Sequence, residues 1–511
     1  MKKLISILCA GAMLLSLAAC GSTSGGASAA DTNITADSVV SSDKAGSTNT
    51  GSTVTDADIA AQLADAVTLT FSDSGITADG SGGFETDGTA LTITDAGAYV
   101  LTGSCADGSV KVKKGVTGVT LVLSGLELTS ADTAPITCAK SSQVVLYAAA
   151  GTENRLADTA QNNDETYSEN ADAENAVIKC KDGSQVTLCG SGSLVIEANG
   201  KNGIKSGATT AEEGEASLTI RDITLTIAAP VNDAINAEQL LVIESGTLTI
   251  AAGDDAIHCD LLLNIGAEGT DGPAITITDC YEAIEAATLN ILSGDIDITS
   301  SDDCLNAANS DLSGYAFSMN ISGGTITAFS SGGDGFDSNG SLTISGGTVV
   351  VWTANTADNQ PLDADGTITI SGGTVLAAGG SSMGMNLSAS QTCVTFGASG
   401  MGGFGSSAIT KGSAISIQDA SGTTVYSVTA LCNAGFVFFS SPALTDGTTY
   451  TLTGGSSTLT ADAQTGSISS GMGGMGGPGG QMPDGQFPGG NGQRPSMPGN
   501  EQSPAAPGSS S

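Results

Sequence analysis

Three near-identical strings, "NISGGTITA" (Asn320 to Ala328), "TISGGTVVV" (Thr343 to Val351) and "TISGGTVLA" (Thr369 to Ala377), repeat one order: alternation, a glycine turn, alternation again. Degenerate copies, "VIESGTLTI" and "ILSGDIDIT", lie upstream. A unit this short cannot bury its apolar side alone, so it must stack on copies of itself. Ahead of each strand pair stands a second motif, small–apolar–polar, in "NAVIK", "KNGIK", "NDAIN", "DDAIH", "YEAIE", "DDCLN", "GDGFD", "QPLD" and "MGMN".

The large apolar residues of that motif are Ile136, Ile178, Ile204, Ile235, Ile257, Ile284, Leu305, Phe336, Leu362 and Met385, at spacings of 42, 26, 31, 22, 27, 21, 31, 26 and 23. The first spacing holds a polar insertion; the rest have the period of a β-solenoid coil. A propeller blade needs about 40 or more residues, and an immunoglobulin-like tandem lacks such short repetition. The Gly, Thr, Ser and Val content argues against helices. The expectation is an all-β chain: a right-handed parallel β-helix of about 10 or more coils, with these side chains stacked inside. The segment "AISIQDASGTTVYSVTALCNAGFVFFSSPALTDGTTYTLTGG" has longer strands and most of the late aromatics, and reads as a C-terminal β cap protecting the edge of the stack.

Lys2 and Lys3 precede the apolar run "LISILCAGAMLLSLAA", which stops at a cysteine. This reads as a signal peptide. Its end, "LAAC", resembles a lipoprotein box, so Cys20 is the expected lipidation site, anchoring the chain to the outer face of a bacterial membrane. The expected organisation is a signal at 1–19, a disordered Ser/Thr/Gly tether at 20–65, the β-helix at 66–400, the cap at 401–465 and a disordered Gly/Met/Pro tail at 466–511. Nine cysteines remain beyond Cys9 and Cys20, with no C-x-x-C pair. Cys138, Cys180 and Cys259 recur at one position, in "PITC", "VIKC" and "AIHC", as buried free thiols would in successive coils. A monomer is expected.

The formal charge of −38 excludes nucleic acid as a partner, since its phosphates are bound by Lys and Arg. Between Arg221 and Lys411 there are 22 Asp and Glu residues and no Lys or Arg. Coils stack about 4.8 Å apart, so equivalent positions form columns. Aligned on the buried apolar residue, one column reads Asn232, Asp254, Tyr281, Asp302, Gly333; the next reads Asp233, Asp255, Glu282, Asp303, Asp334. A third reads Lys205, Asn236, His258, Glu285, Asn306, Asp337, Asp363, Asn386. Carboxylates at this spacing repel by several tenths of a kcal/mol even in water. Shared Ca²⁺ ions, which take six to eight oxygens, offset that repulsion more simply than many raised pKa values. Three metal sites are expected: Asp302, Asp303 and Asn306 with Asp334 and Asp337; Asp233 and Asn236 with Asp254 and Asp255; and Asp363 and Asp365 with Asp337. Solvated turn residues are the competing reading, because Asp and Asn suit tight turns.

The order "ITDAGAYVLTG", "GVTLVLSGLELTS", "GTENRLAD", "GSGSLVIEANGKNGIKS", serial "ISGGT" coils, "FFSSPAL" and a Gly/Met tail resembles the bacterial carbohydrate-binding, pectate-lyase-like β-helix surface proteins, over nearly the whole chain from about residue 66. The resemblance implies a right-handed β-helix with calcium sites, binding cellulose and acidic plant sugars such as polygalacturonate. It also implies adjacent-Asp calcium ligation at Asp254 with Asp255 and at Asp302 with Asp303.

β-Elimination on a uronate needs a base and an enolate-stabilising cation. Related lyases use Lys or Arg as the base, and neither occurs from 222 to 410. The expected function is therefore non-catalytic, calcium-dependent polysaccharide binding. A pectate-lyase-like enzyme and a surface scaffold with structural metals are the alternatives. Neutral glucans need aromatic platforms, for which Trp352, Tyr281, Tyr315 and Phe329 are the candidates.

Overall fold

A computed structural model describes residues 56–208, 218–354, 359–380, 386–397, 408–455 and 457–469. Cys20, the signal segment and Met385 lie outside them. The described residues form a parallel β-helix whose coils run through three faces in turn. Face A carries Ala90–Ile93, Ser109–Val112, Ile136–Cys138, Ala176–Cys180, Asn202–Ser206 and Ile235–Ala237. It continues through the starts of Ile257–Ile265 and Ile284–Ile291 to Leu305–Ala307 and Phe336–Ser338, every neighbour parallel. Face B includes Gln143–Ala148, Gln185–Cys189, Leu218–Ile220, Leu240–Ile243, Ser318–Ile321 and Ser341–Ile344. Face C includes Thr224–Ala229, Thr247–Ala252, Ala274–Asp279, Asp295–Ser300, Thr325–Ser330 and Thr348–Thr353. The chain then turns one corner, from face C back to face A, where the acid-rich motifs stand.

The inward column of face A is the one read from the spacing. Ile136, Ile178, Ile204, Ile235, Ile257, Ile284, Leu305 and Phe336 are direct register partners in that order, and Leu362 bridges to Phe336. All are at most 1% exposed, as befits a core that one coil cannot make alone. Cys138 and Cys180 are register partners two residues along, and Cys259 continues their column through Ser206 and Ala237. All three thiols are free and buried.

The "ISGGT" signature has a steric origin. Gly324, Gly347 and Gly373 sit at φ of 81°, 79° and 80°, a region that disfavours side chains. At the preceding glycine, a Cβ on Gly346 would strike the carbonyl oxygen of Ser322 in the coil below. Both glycines are needed for the coils to turn and stack.

At the C-terminal end, Phe436–Ser440 pairs antiparallel with Thr374–Gly379 and with Asn386–Gly397, closing the stack. Ala414–Gln418, Thr424–Thr429, Thr449–Gly454 and Ser457–Asp462 form a separate antiparallel sheet. Two boundaries differ from expectation. Asp56–Leu63, inside the expected tether, is a helix: Ile59 is buried against Val122, Tyr147 and Cys189, and Thr120 Oγ1 donates to Gln62 Oε1 at 2.8 Å. Gln464–Ser469, which overlaps the expected tail, pairs with Asn386–Gly397.

Candidate metal centre and binding face

The corner between faces C and A is laddered by backbone hydrogen bonds that put the acid motifs in register. Tyr281 N–H donates to Asp254 O at 3.0 Å and Asp302 N–H to Tyr281 O at 2.8 Å, which builds the outermost column. The next column is linked one residue on: Ala256 to Glu282, Ala283 to Asp303, Cys304 to Asp334 and Gly335 to Gln360. The third column is strand register itself: Asn236, His258, Glu285, Asn306 and Asp337 are successive partners. Each coil thus places one residue and another three positions later along the same corner. Successive pairs are Asp233/Asn236, Asp255/His258, Glu282/Glu285, Asp303/Asn306, Asp334/Asp337 and Gln360/Asp363.

Carboxylate oxygens of Asp334, Asp337 and Asp363 lie within 4.8 Å of one another. Burial, reinforced by acidic neighbours, raises each pKa. Asp334 rises to about 7, with Asp363, Asp337 and Asp302 adding to burial. Asp303 rises to about 8 through burial and the charges of Glu282, Asp334 and Asp337. Glu282 rises to about 7 through burial, against the Asn306 amide that donates to it at 2.9 Å. The backbone supplies some compensation: Asp334 N–H donates to Asp303 Oδ1 at 2.6 Å and Gln360 N–H to Asp334 Oδ1 at 2.5 Å. No Lys or Arg among the described residues pairs with these acids.

Two further observations bear on whether a cation fits. Asn306 Oδ1 and Gln360 Oε1 are buried carbonyl oxygens without a hydrogen-bond partner among the described residues. Each belongs to an amide whose nitrogen is already placed, on Glu282 Oε2 and on Asp363 Oδ2 at 3.3 Å. An unsatisfied buried acceptor costs about 1–3 kcal/mol, and a hard cation satisfies it. Gly333, in the outermost column, leaves room for carboxylates: a Cβ there would overlap Asp302 Oδ1 and Asp303 Oδ1. The donor set is all oxygen, which suits Ca²⁺.

Of the residues expected in the first site, Asp334 and Asp337 cluster with Asp363; Asp303 accepts from the Asp334 N–H, Asn306 is the register partner of Asp337, and Asp302 is bonded to the Tyr281 hydroxyl in the outermost column. Asp365 is exposed at the edge of that cluster, with its N–H on Ser338 O at 2.9 Å. The expected second group divides. Asp233 accepts from Asn236 Nδ2 at 2.6 Å and Asp255 is bound to His258 Nδ1 at 2.9 Å, while Asp254 is exposed. His258 also contacts Asp260 at 3.0 Å and Glu285 at 3.3 Å. Burial pushes its pKa down, but the bonds to Asp255, Asp260 and Glu285 outweigh burial and hold it well above the ordinary range. The imidazolium is thus a built-in cation for this part of the ladder. Gln360 was missed in the sequence; aligning "QPLD" on "DGFD" puts it directly after Asp334 in the second column.

The aromatic candidates separate. Trp352 is fully buried, a correction to its expected role as a platform. It points outward from face C, where the C-terminal sheet covers it among Val350, Leu376, Phe396 and Phe439. Phe329 is half-buried, packed against that cluster, and lies under Lys411. Tyr315 is half-buried, its hydroxyl 2.9 Å from Thr288 Oγ1 and its ring tilted on Phe317. Tyr281 is 49% exposed on the outermost acid column, its hydroxyl bonded to Asp302, which pushes the phenol up to about 12.

A family model described as "Carbohydrate-binding domain-containing protein" matches residues 87–389. A protein of Acetivibrio thermocellus with the same description is 31% identical over 137 residues, 27% of this chain and 46% of that protein. The match thus spans about half the length of that relative. Among solved structures, a polysaccharide lyase-like protein from C. thermocellum, determined as a gadolinium derivative, is 23% identical. The alignment covers 60% of this chain and 96% of that one, with a TM-score of 0.34.

Proposed function

The chain belongs to the carbohydrate-binding domain family, and from that premise we propose that it is a non-catalytic, calcium-dependent binder of acidic polysaccharide such as polygalacturonate, with cellulose as a further ligand. The observation that carries this reading is the cluster of Asp334, Asp337 and Asp363. Its carboxylates crowd within 4.8 Å, and among the described residues no basic side chain pairs with them and the buried acceptors Asn306 Oδ1 and Gln360 Oε1 have no hydrogen-bond partner. Asp303, Asp334, Asp337 and Asp363 would hold the ion, with Asn306 and Gln360 turning carbonyl oxygens toward it. When bound there, Ca²⁺ would supply the positive charge that a uronate carboxylate needs on this acidic face. Exposed Tyr281 on the adjacent column gives a sugar ring an apolar face to lie on. Asp255 and Glu285, whose ligand atoms lie within 4.8 Å of the His258 ring nitrogen, form a second cluster on the same ladder in which the imidazolium supplies positive charge.

A lipid anchor at Cys20, display on the outer face of the cell membrane and a monomeric state complete the proposal. They place a long solenoid where it meets extracellular polymer.

Pull-down on polygalacturonate and on microcrystalline cellulose, in calcium and in chelator, tests the reading. Calcium-dependent retention on polygalacturonate supports it. Retention on neither polymer in calcium defeats it and leaves a surface scaffold with structural metals.

A further inference from the structure

The outer column of face A changes sign along the solenoid. At its N-terminal half Lys111, Thr137, Lys179 and Lys205 are successive register partners, before the column passes into Asn236 and the acids. Lys179 and Lys205 are direct partners, so their Cα atoms stand about 4.8 Å apart on adjacent coils. Both side chains are half-buried.

Three other lysines of these coils are paired: Lys140 with Asp182 at 2.6 Å, Lys181 with Glu174 at 2.6 Å and Lys201 with Glu165 at 2.5 Å. Lys179 and Lys205 have no ion pair among the described residues. The nearest acids are engaged elsewhere, Glu174 with Lys181 and Glu238 with the N–H of Ala208 at 3.2 Å. Two ammonium groups side by side, partly removed from water, repel each other, and the charges of Glu174 and Glu238 reach Lys179 without forming an ion pair among the described residues. Burial first, and Lys205 second, hold the Lys179 pKa below its ordinary value.

We propose that Lys179 and Lys205 form an anion subsite that takes a carboxylate of an acidic polysaccharide directly, without metal. The subsite rests on the polysaccharide reading above and deepens it. Asp337 lies on the same column, five register steps from Lys205 through Asn236, His258, Glu285 and Asn306, or about 24 Å along the axis. One polyuronate lying along the column would meet ammonium groups at one end and the acid corner at the other.

The test is calorimetric titration of the full chain with a galacturonate hexamer, in calcium and in chelator, using wild type, Lys179→Gln/Lys205→Gln, Lys179→Arg/Lys205→Arg and Asp334→Asn/Asp337→Asn. In chelator the wild type should retain weak binding that fades as sodium chloride is raised. The double Gln variant should lose about tenfold in that affinity, as for one charge-assisted hydrogen bond, and the double Arg variant should keep it. The Asp variant should lose only the calcium-dependent part. Removing the like charges should not lower the melting temperature of the Gln variant, which separates lost binding from lost folding.

Chelator-resistant binding that is equal in wild type and the Gln variant overturns the subsite. So does its absence from the wild type. In either case calcium-dependent binding leaves the polysaccharide reading standing. Lysine-dependent binding with no calcium-dependent component sinks the calcium reading and keeps the subsite.

Discussion

Calcium uptake at the acid corner should expel protons, and the number follows from how far burial has raised the carboxyl pKa values. Asp303 stands at about 8 and Asp334 at about 7, against an ordinary 3.8. At about pH 6.5 Asp303 is then almost wholly protonated and Asp334 roughly three-quarters so. A cation takes both as carboxylates, so each ion bound should release between about one and two protons. The same shifts set the stability of the metal-free chain. An acid whose folded pKa is raised binds more protons folded than unfolded, so stability falls as pH rises from about 4 through 8. Full burial of the Asp303 shift would amount to roughly 5–6 kcal/mol; partial exposure reduces this to about 3 kcal/mol. Calcium should remove most of that loss. The assay is calorimetric calcium titration at about pH 6.5 in two buffers of different protonation enthalpy, repeated near pH 9, where release should vanish. Heats independent of buffer at pH 6.5, or an affinity flat from about pH 5.5 to 8, would refute the reasoning.

Phe336→Ala empties the inward column at the coil carrying Asp334 and Asp337. It should cost about 3–5 kcal/mol in denaturant unfolding. The sole histidine, His258, held by Asp255, Asp260 and Glu285, should stay charged, with imidazole resonances that do not titrate between about pH 5 and 9. His258→Gln leaves Asp255 and Glu285 without their cation and should cost about 3 kcal/mol near neutral pH. The sole tryptophan, Trp352, lies under the C-terminal sheet. Its emission should be that of a buried indole and should not shift when sugar binds.

The coil period was legible because one side chain per coil must point inward and only a large apolar residue fills that place. Ile136 through Leu362 therefore mark successive coils despite loops of different length. The acid columns were legible for the same reason, since a residue at fixed offset from a buried neighbour keeps its register. What could not be read concerns side-chain direction and cover. Trp352 alternates outward and would meet water but for a sheet some 60 to 110 residues later in the chain. Asp254 and Asp255 are neighbours in sequence but part company, one exposed and one bound to His258. The helix at Asp56–Leu63 carries two large apolar side chains, of which Ile59 is buried against the solenoid and Leu63 is exposed, so no apolar face marks it in the sequence. Gln360 carries no charge, so nothing in an acid count draws attention to it.

The most direct test of the central claim is the affinity for a galacturonate oligomer, measured by calorimetry in calcium and in chelator for wild type and for Asp334→Asn/Asp337→Asn. Wild type should bind in calcium and fall in chelator to the weak, salt-sensitive remainder, while the variant shows only that remainder in both. Equal affinity of wild type with and without calcium, or a variant that still gains affinity from calcium as wild type does, would contradict a metal-bridged sugar at this corner.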